Sequence, residues 1–103
     1  MNASLSIPSM IFKIAQKQKG KRDRRHASPL ELLGIFIGAE RRRKGLDLQD
    51  AAQQLGVDVR TLLEIELGAL DPQELLPLLP GLERLLDLPG GSLGRRLVRL
   101  ALE

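Results

Sequence analysis

Cysteine is absent from this 103-residue chain, and histidine occurs once, as His26. The first absence excludes disulfides, thiolate zinc sites, thiol redox chemistry and a cysteine nucleophile; the second leaves too few imidazoles for a histidine-rich metal site. Tryptophan and tyrosine are missing as well, and Phe12 and Phe36 are the only aromatic side chains. So few rings argue against recognition of single strands by base stacking. No apolar run reaches the roughly 18 residues that a membrane-spanning helix needs. The apolar segment from Leu5 to Ala15 is short, broken by Pro8 and not preceded by basic residues, so it does not read as a secretory signal, and a cytoplasmic location is expected. What the chain has in abundance is leucine, 23 residues of it. With few β-branched residues and few aromatics beside them, the leucines predict an all-α fold, and the length suits one domain.

The net charge of +3 conceals a partition. Lys13, Lys17, Lys19, Lys21, Arg22, Arg24 and Arg25 face Asp23 alone, a balance of +6 in the first 29 residues. The remainder carries nine Lys/Arg against twelve Asp/Glu, a balance of −3. Basicity therefore belongs to an N-terminal arm and not to the body of the chain. Between Gln16 and Ala27 there is almost no large apolar side chain to offset the entropy of ordering, so residues 1–27 are expected to form a flexible basic arm and residues 28–103 the folded domain. Within the body, positive charge gathers at Arg41–Lys44 and at Arg95, Arg96 and Arg99.

Helix punctuation is frequent from Ser28 onward. Ser28-Pro29-Leu30-Glu31 supplies a capping hydroxyl, a proline at the first helical position and a carboxylate three residues after the cap. It opens a helix expected to run to about Lys44, where Gly45 ends it. Asp47 begins a second helix stopping at Gly56, and Asp58 caps a third from Val59 to Leu67, ended by Gly68. Asp71-Pro72-Gln73-Glu74 repeats the start signal, but Pro77 and Pro80 deny this segment a long uninterrupted helix, which predicts one or two turns at 72–79 and a helix near Gly81–Leu88. Ser92 is expected to cap a last helix, Leu93–Leu102. The sum is a compact bundle of about five short helices.

The second and third helices, joined by Gly56-Val57-Asp58, have the dimensions of a helix-turn-helix. Ala52 is small where they must approach, and Leu55, Val57, Leu62 and Ile65 are apolar where they share a core. These residues, with Leu33-Gly34, Ile37, Arg41, Gly45-Leu46 and the run LQDAAQQLGVDVRTLLEIELG from Leu48 to Gly68, resemble the lambda-repressor and Cro type of helix-turn-helix domain over roughly Leu33 to Leu88. The resemblance implies that Glu66 pairs with Arg41, pinning the third helix to the first. It also implies that the third helix enters the major groove of double-stranded DNA. Val59, Arg60, Thr61 and Glu64 are then offered to base edges, Gln49 to the backbone, and the arm's seven basic residues to phosphates. Leu63, Gly38 and Leu48 depart from the family's usual small hydroxyl, polar residue and glutamine.

The expected function is therefore sequence-specific or assembly-associated DNA binding, as a small transcriptional regulator or as the DNA-binding part of a larger assembly, cytoplasmic and nucleoid-associated, without metal or cofactor. The alternative is the same fold repurposed as a protein-interaction adaptor, docking a protein partner through Leu63, Leu67 and residues 5–15. Leu93, Leu97 and Leu100 form an apolar stripe that either closes the monomer or makes a homodimer. His26 has no catalytic partner in the sequence, Glu64 and Glu66 point apart on a helix, and no nucleophile with its base is visible, so an enzyme is not expected.

Overall fold

A computed structural model describes residues 27–103. The expected basic arm, with Lys13, Lys17, Lys19, Lys21, Arg22, Arg24, Arg25 and His26, and the proposed docking segment 5–15 lie outside the described residues. Those residues form an all-helical body without strands: α1 (Pro29–Arg43), α2 (Leu48–Leu55), α3 (Val59–Leu67), the single-turn α4 (Pro72–Leu75), a 3-10 turn (Leu76–Leu78), α5 (Leu79–Leu85) and α6 (Ser92–Leu102).

The starts of the first three helices are chemically explicit. At α1 the capping box is complete: the Glu31 amide donates to Ser28 Oγ at 3.1 Å, and the Ser28 amide donates to Glu31 Oε1 at 2.8 Å. Asp47 and Asp58 each accept from the backbone amide three residues on, at 2.7 and 2.8 Å. The ends share one geometry. Leu46, Val57 and Ala69 donate backward to the carbonyls of Arg41, Ala52 and Glu64, closing the last turn. The intervening Gly45, Gly56 and Gly68 take the left-handed conformation that this closure demands.

A single cluster of buried side chains joins the elements. Leu33 and Ile37 of α1 meet Ala51 and Ala52 of α2, Leu62 and Ile65 of α3, Leu70, and the leucines Leu75, Leu79, Leu82, Leu86 and Leu93. α1 is the central element, with α3 and α6 packed against it, while α5 lies on α2 and α6.

The structure departs from the sequence-based expectations in three places. Residues 72–78 form single turns and no long uninterrupted helix, as expected, but α5 starts at Leu79 and not at Gly81, because Pro80 falls in its first turn, where no intrahelical amide donor is required. α5 stops at Leu85 and not at Leu88, because Asp87 adopts φ 57° and Leu88 donates back to the Glu83 carbonyl. Ser92 does not cap α6: Gly91 is the cap residue, and Ser92 Oγ is buried without a hydrogen-bond partner among the described residues. The capping acceptor is Glu83 of α5, whose two carboxylate oxygens accept from the amides of Gly91 (2.9 Å) and Leu93 (3.0 Å). Leu93 is fully buried, so it cannot contribute to a homodimer surface; Leu97 and Leu100 are half-buried against the same core. The large apolar residues that α6 leaves exposed are Val98 and Leu102.

Candidate nucleic-acid interface

The α2–α3 unit owes its close approach to small residues. Ala51 and Ala52 have no solvent exposure, and they let Leu62 and Ile65 sink into the core behind the three-residue turn. At α1 the contact is closer still. A Cβ at Gly34 would stand 2.4 Å from the Glu66 carbonyl oxygen and 2.6 Å from that of Ile65. The backbone of α3 therefore lies directly on α1, and only glycine fits between them.

Arg41 holds this arrangement from the side. Its Nε donates to Glu66 Oε2 at 2.6 Å, its Nη2 to Glu66 Oε1 at 3.2 Å, and its Nη1 to the Leu46 carbonyl at 2.7 Å. The fork thus ties α1 to α3 and to the loop before α2, with both side chains only 10% exposed. The departure at Gly38 has the same origin. A Cβ there would come within 2.9 Å of Glu66 Oε1, so the carboxylate occupies the space a larger residue needs.

On the outer side of α3, Val59, Arg60, Leu63 and Leu67 are exposed, while Thr61 and Glu64 are half-buried. Arg60 makes no ion pair with any described residue. Asp58, at the helix start, has its carboxyl held below the ordinary 3.8, first by the hydrogen bonds from Thr61 and only weakly by the charge of Arg60. Gln49 and Gln53 are exposed on α2 and share with Asp58 and Val59 an open cleft of about 420 Å³. The structure thus brings Gln49 and Val59 to one cleft, with Arg60 and Thr61 next along α3. Besides Glu66, which serves Arg41, the carboxylates Asp47, Asp50, Asp58 and Glu64 belong to this unit against the one cation, Arg60.

The second basic cluster is mostly committed inside the body. Arg41 serves Glu66, Arg43 pairs with Glu40 at 2.6 Å and Lys44 pairs with Asp87, which leaves Arg42 as the member without an ion pair among the described residues. Two functional-looking groups were not legible in the sequence. Glu83 serves backbone amides, which carry no residue-type signal, and Arg96 lies over the Phe36 ring at 3.7 Å, across 60 residues of chain. Among the described residues no group of three or more potential ligands could hold a metal ion, and no helix is long and apolar enough to cross a membrane. In comparisons with family models, curated proteins and solved structures, nothing matches this chain.

Proposed function

We propose that this chain is a DNA-binding protein of the helix-turn-helix kind, a small transcriptional regulator of the lambda-repressor type acting in the cytoplasm at the nucleoid. The observation that carries the reading is the exposed Arg60, the second residue of α3, which makes no ion pair with any described residue and lies beyond a cleft shared by Gln49, Gln53 and Val59. A guanidinium there can take a guanine edge or a phosphate, and the glutamines supply neutral donors to the backbone. The surrounding carboxylates oppose a polyanion. The bulk of the affinity is accordingly assigned to the +6 carried by Lys13–Arg25, with α3 setting register and selectivity.

The test is fluorescence anisotropy of the full chain with a random duplex across a salt series, and then site selection. If about four of those charges meet phosphates, log K falls against log salt with a slope near −3.6 from them alone. Replacing the seven basic residues by glutamine is expected to abolish most binding. Arg60→Ala is expected to weaken the selected site roughly tenfold more than random duplex. No binding by the full chain at low salt would overturn the reading.

One observation favours a second reading, a protein-interaction adaptor. Val59, Leu63 and Leu67 stand exposed at four-residue intervals, which makes one apolar stripe along α3 bordered by carboxylates. A basic amphipathic helix of a partner would fit that stripe. Under this reading binding tolerates salt and fails with Leu63→Asp, whereas DNA binding collapses with salt and survives Leu63→Ser.

A further inference from the structure

On the other side of α1 from α3, a pocket of about 280 Å³ opens between α1 and α6. Its apolar walls are Phe36, Leu88 and Pro89, and its polar lining is Ser92, Arg95, Arg96 and Arg99. Phe36 is two residues from both Gly34 and Gly38, about 200° around the helix from the face that meets α3. The pocket is thus separate from the exposed side of α3.

Three features set this cluster apart from an ordinary solvated arginine face. None of the three arginines forms an ion pair among the described residues, although these include twelve carboxylate side chains. Three like charges at positions 95, 96 and 99 of one helix repel one another without compensation. Arg96 is nonetheless held in place, its guanidinium 3.7 Å from the centre of the Phe36 ring, which fixes the plane of its donors. Ser92 lines the same pocket, and its buried Oγ has no hydrogen-bond partner among the described residues. Glu103, one turn beyond Arg99, makes no ion pair among the described residues, and the two carboxylates that precede the pocket in sequence are already engaged. Glu83 is consumed by the amides of Gly91 and Leu93, and Asp87 by Lys44.

We infer that this pocket binds a phosphate group, with the arginines as charge-assisted donors and Ser92 as a neutral one. Planar guanidinium forks match the spacing of phosphate oxygens, and the group would relieve both the mutual repulsion of the arginines and the orphaned hydroxyl. The volume, just below the roughly 300–1,000 Å³ of pockets for drug-sized ligands, has room for a phosphate group and for part of the molecule that carries it. The inference is independent of what α3 recognises.

The phosphate can belong to a nucleic-acid backbone or to a small phosphorylated molecule, and one experiment separates the two. The 15N-labelled full chain is titrated with inorganic phosphate, with pyrophosphate, with polyglutamate and with a short DNA duplex, each against chloride at equal ionic strength. The expected result is saturable movement of the arginine Nε–H signals of residues 95, 96 and 99 and of the Ser92 amide. In the paired substitution Arg96→Gln with Arg99→Gln, affinity is expected to fall at least about tenfold, the loss of charge-assisted hydrogen bonds. Ser92→Ala is expected to weaken it less, and both variants should keep the parent helical circular dichroism. If duplex moves the same signals and the double variant lowers duplex affinity, the source is a nucleic-acid backbone. If the phosphates move them and duplex does not, the ligand is a small phosphorylated molecule. Linear, unsaturable shifts equal to those in chloride would overturn the proposal, as would stronger saturation by polyglutamate than by pyrophosphate.

Discussion

A methyl group at Gly34 illustrates how a single position outweighs local preference. In a helix, alanine is favoured over glycine by about 1 kcal/mol. Here the added carbon meets backbone oxygens of α3 at 2.4 and 2.6 Å, which cannot rotate away. Gly34→Ala is therefore expected to destabilise by about 2 kcal/mol, with urea unfolding as the measurement. Arg41→Ala strands the Glu66 carboxylate at low exposure and should cost about 3 kcal/mol, read from the same curves. Glu83→Ala leaves two amides at the start of α6 without acceptors. A loss of roughly 2–4 kcal/mol is expected, with hydrogen exchange fastest at Gly91 and Leu93. Acid acts at Asp58, whose folded-state carboxyl titrates below its ordinary 3.8. Its contribution to the α3 cap is complete above that value and is lost as pH falls through the lower, folded-state one. Asp58→Asn keeps an acceptor and should remove this acid dependence, monitored at the Thr61 amide signal. The Arg41–Glu66 pairing agrees with the expectation drawn from the sequence resemblance. The role of Glu83 was not legible, because a carboxylate that serves backbone amides eight and ten residues away leaves no spacing rule to read.

At the scale of the element, the legible boundaries were those written in side-chain chemistry. Ser28, Asp47 and Asp58 mark starts, and Gly45, Gly56 and Gly68 mark ends, so α1, α2 and α3 could be read to within a residue. The α5 region resisted for two physical reasons. Proline in a first turn and proline as a breaker are the same residue in sequence, and only the fold decides which applies to Pro77 and Pro80. The end of α5 is closed by a left-handed residue that is not glycine, Asp87, and its ion pair with Lys44 crosses to the end of α1. Removing the Cβ should relieve the left-handed strain, while the ion pair, with Asp87 well exposed, contributes little. Asp87→Gly is accordingly expected to melt at or above the parent temperature and Asp87→Ala below it, a comparison that scanning calorimetry resolves.

For the whole molecule, the dominant feature is the opposition between a basic leading segment, +6, and an acidic body, −3. Any polyanion that binds does so against the field of the body, so its affinity should respond to salt more steeply than the net charge of +3 suggests. This opposition was fully readable from residue counts. The distribution of cations within the body was not, since neighbouring residues such as Arg41, Arg42, Arg43 and Lys44 have different partners once folded. The three-way grip of Arg41 on Glu66 and the Leu46 carbonyl also bears on kinetics. Because that brace sets the tilt of α3 when the chain folds, a partner meets a surface whose shape is already decided. The ordering entropy is incurred before encounter, and association through α3 should proceed as a single docking step, without a slow rearrangement phase after contact.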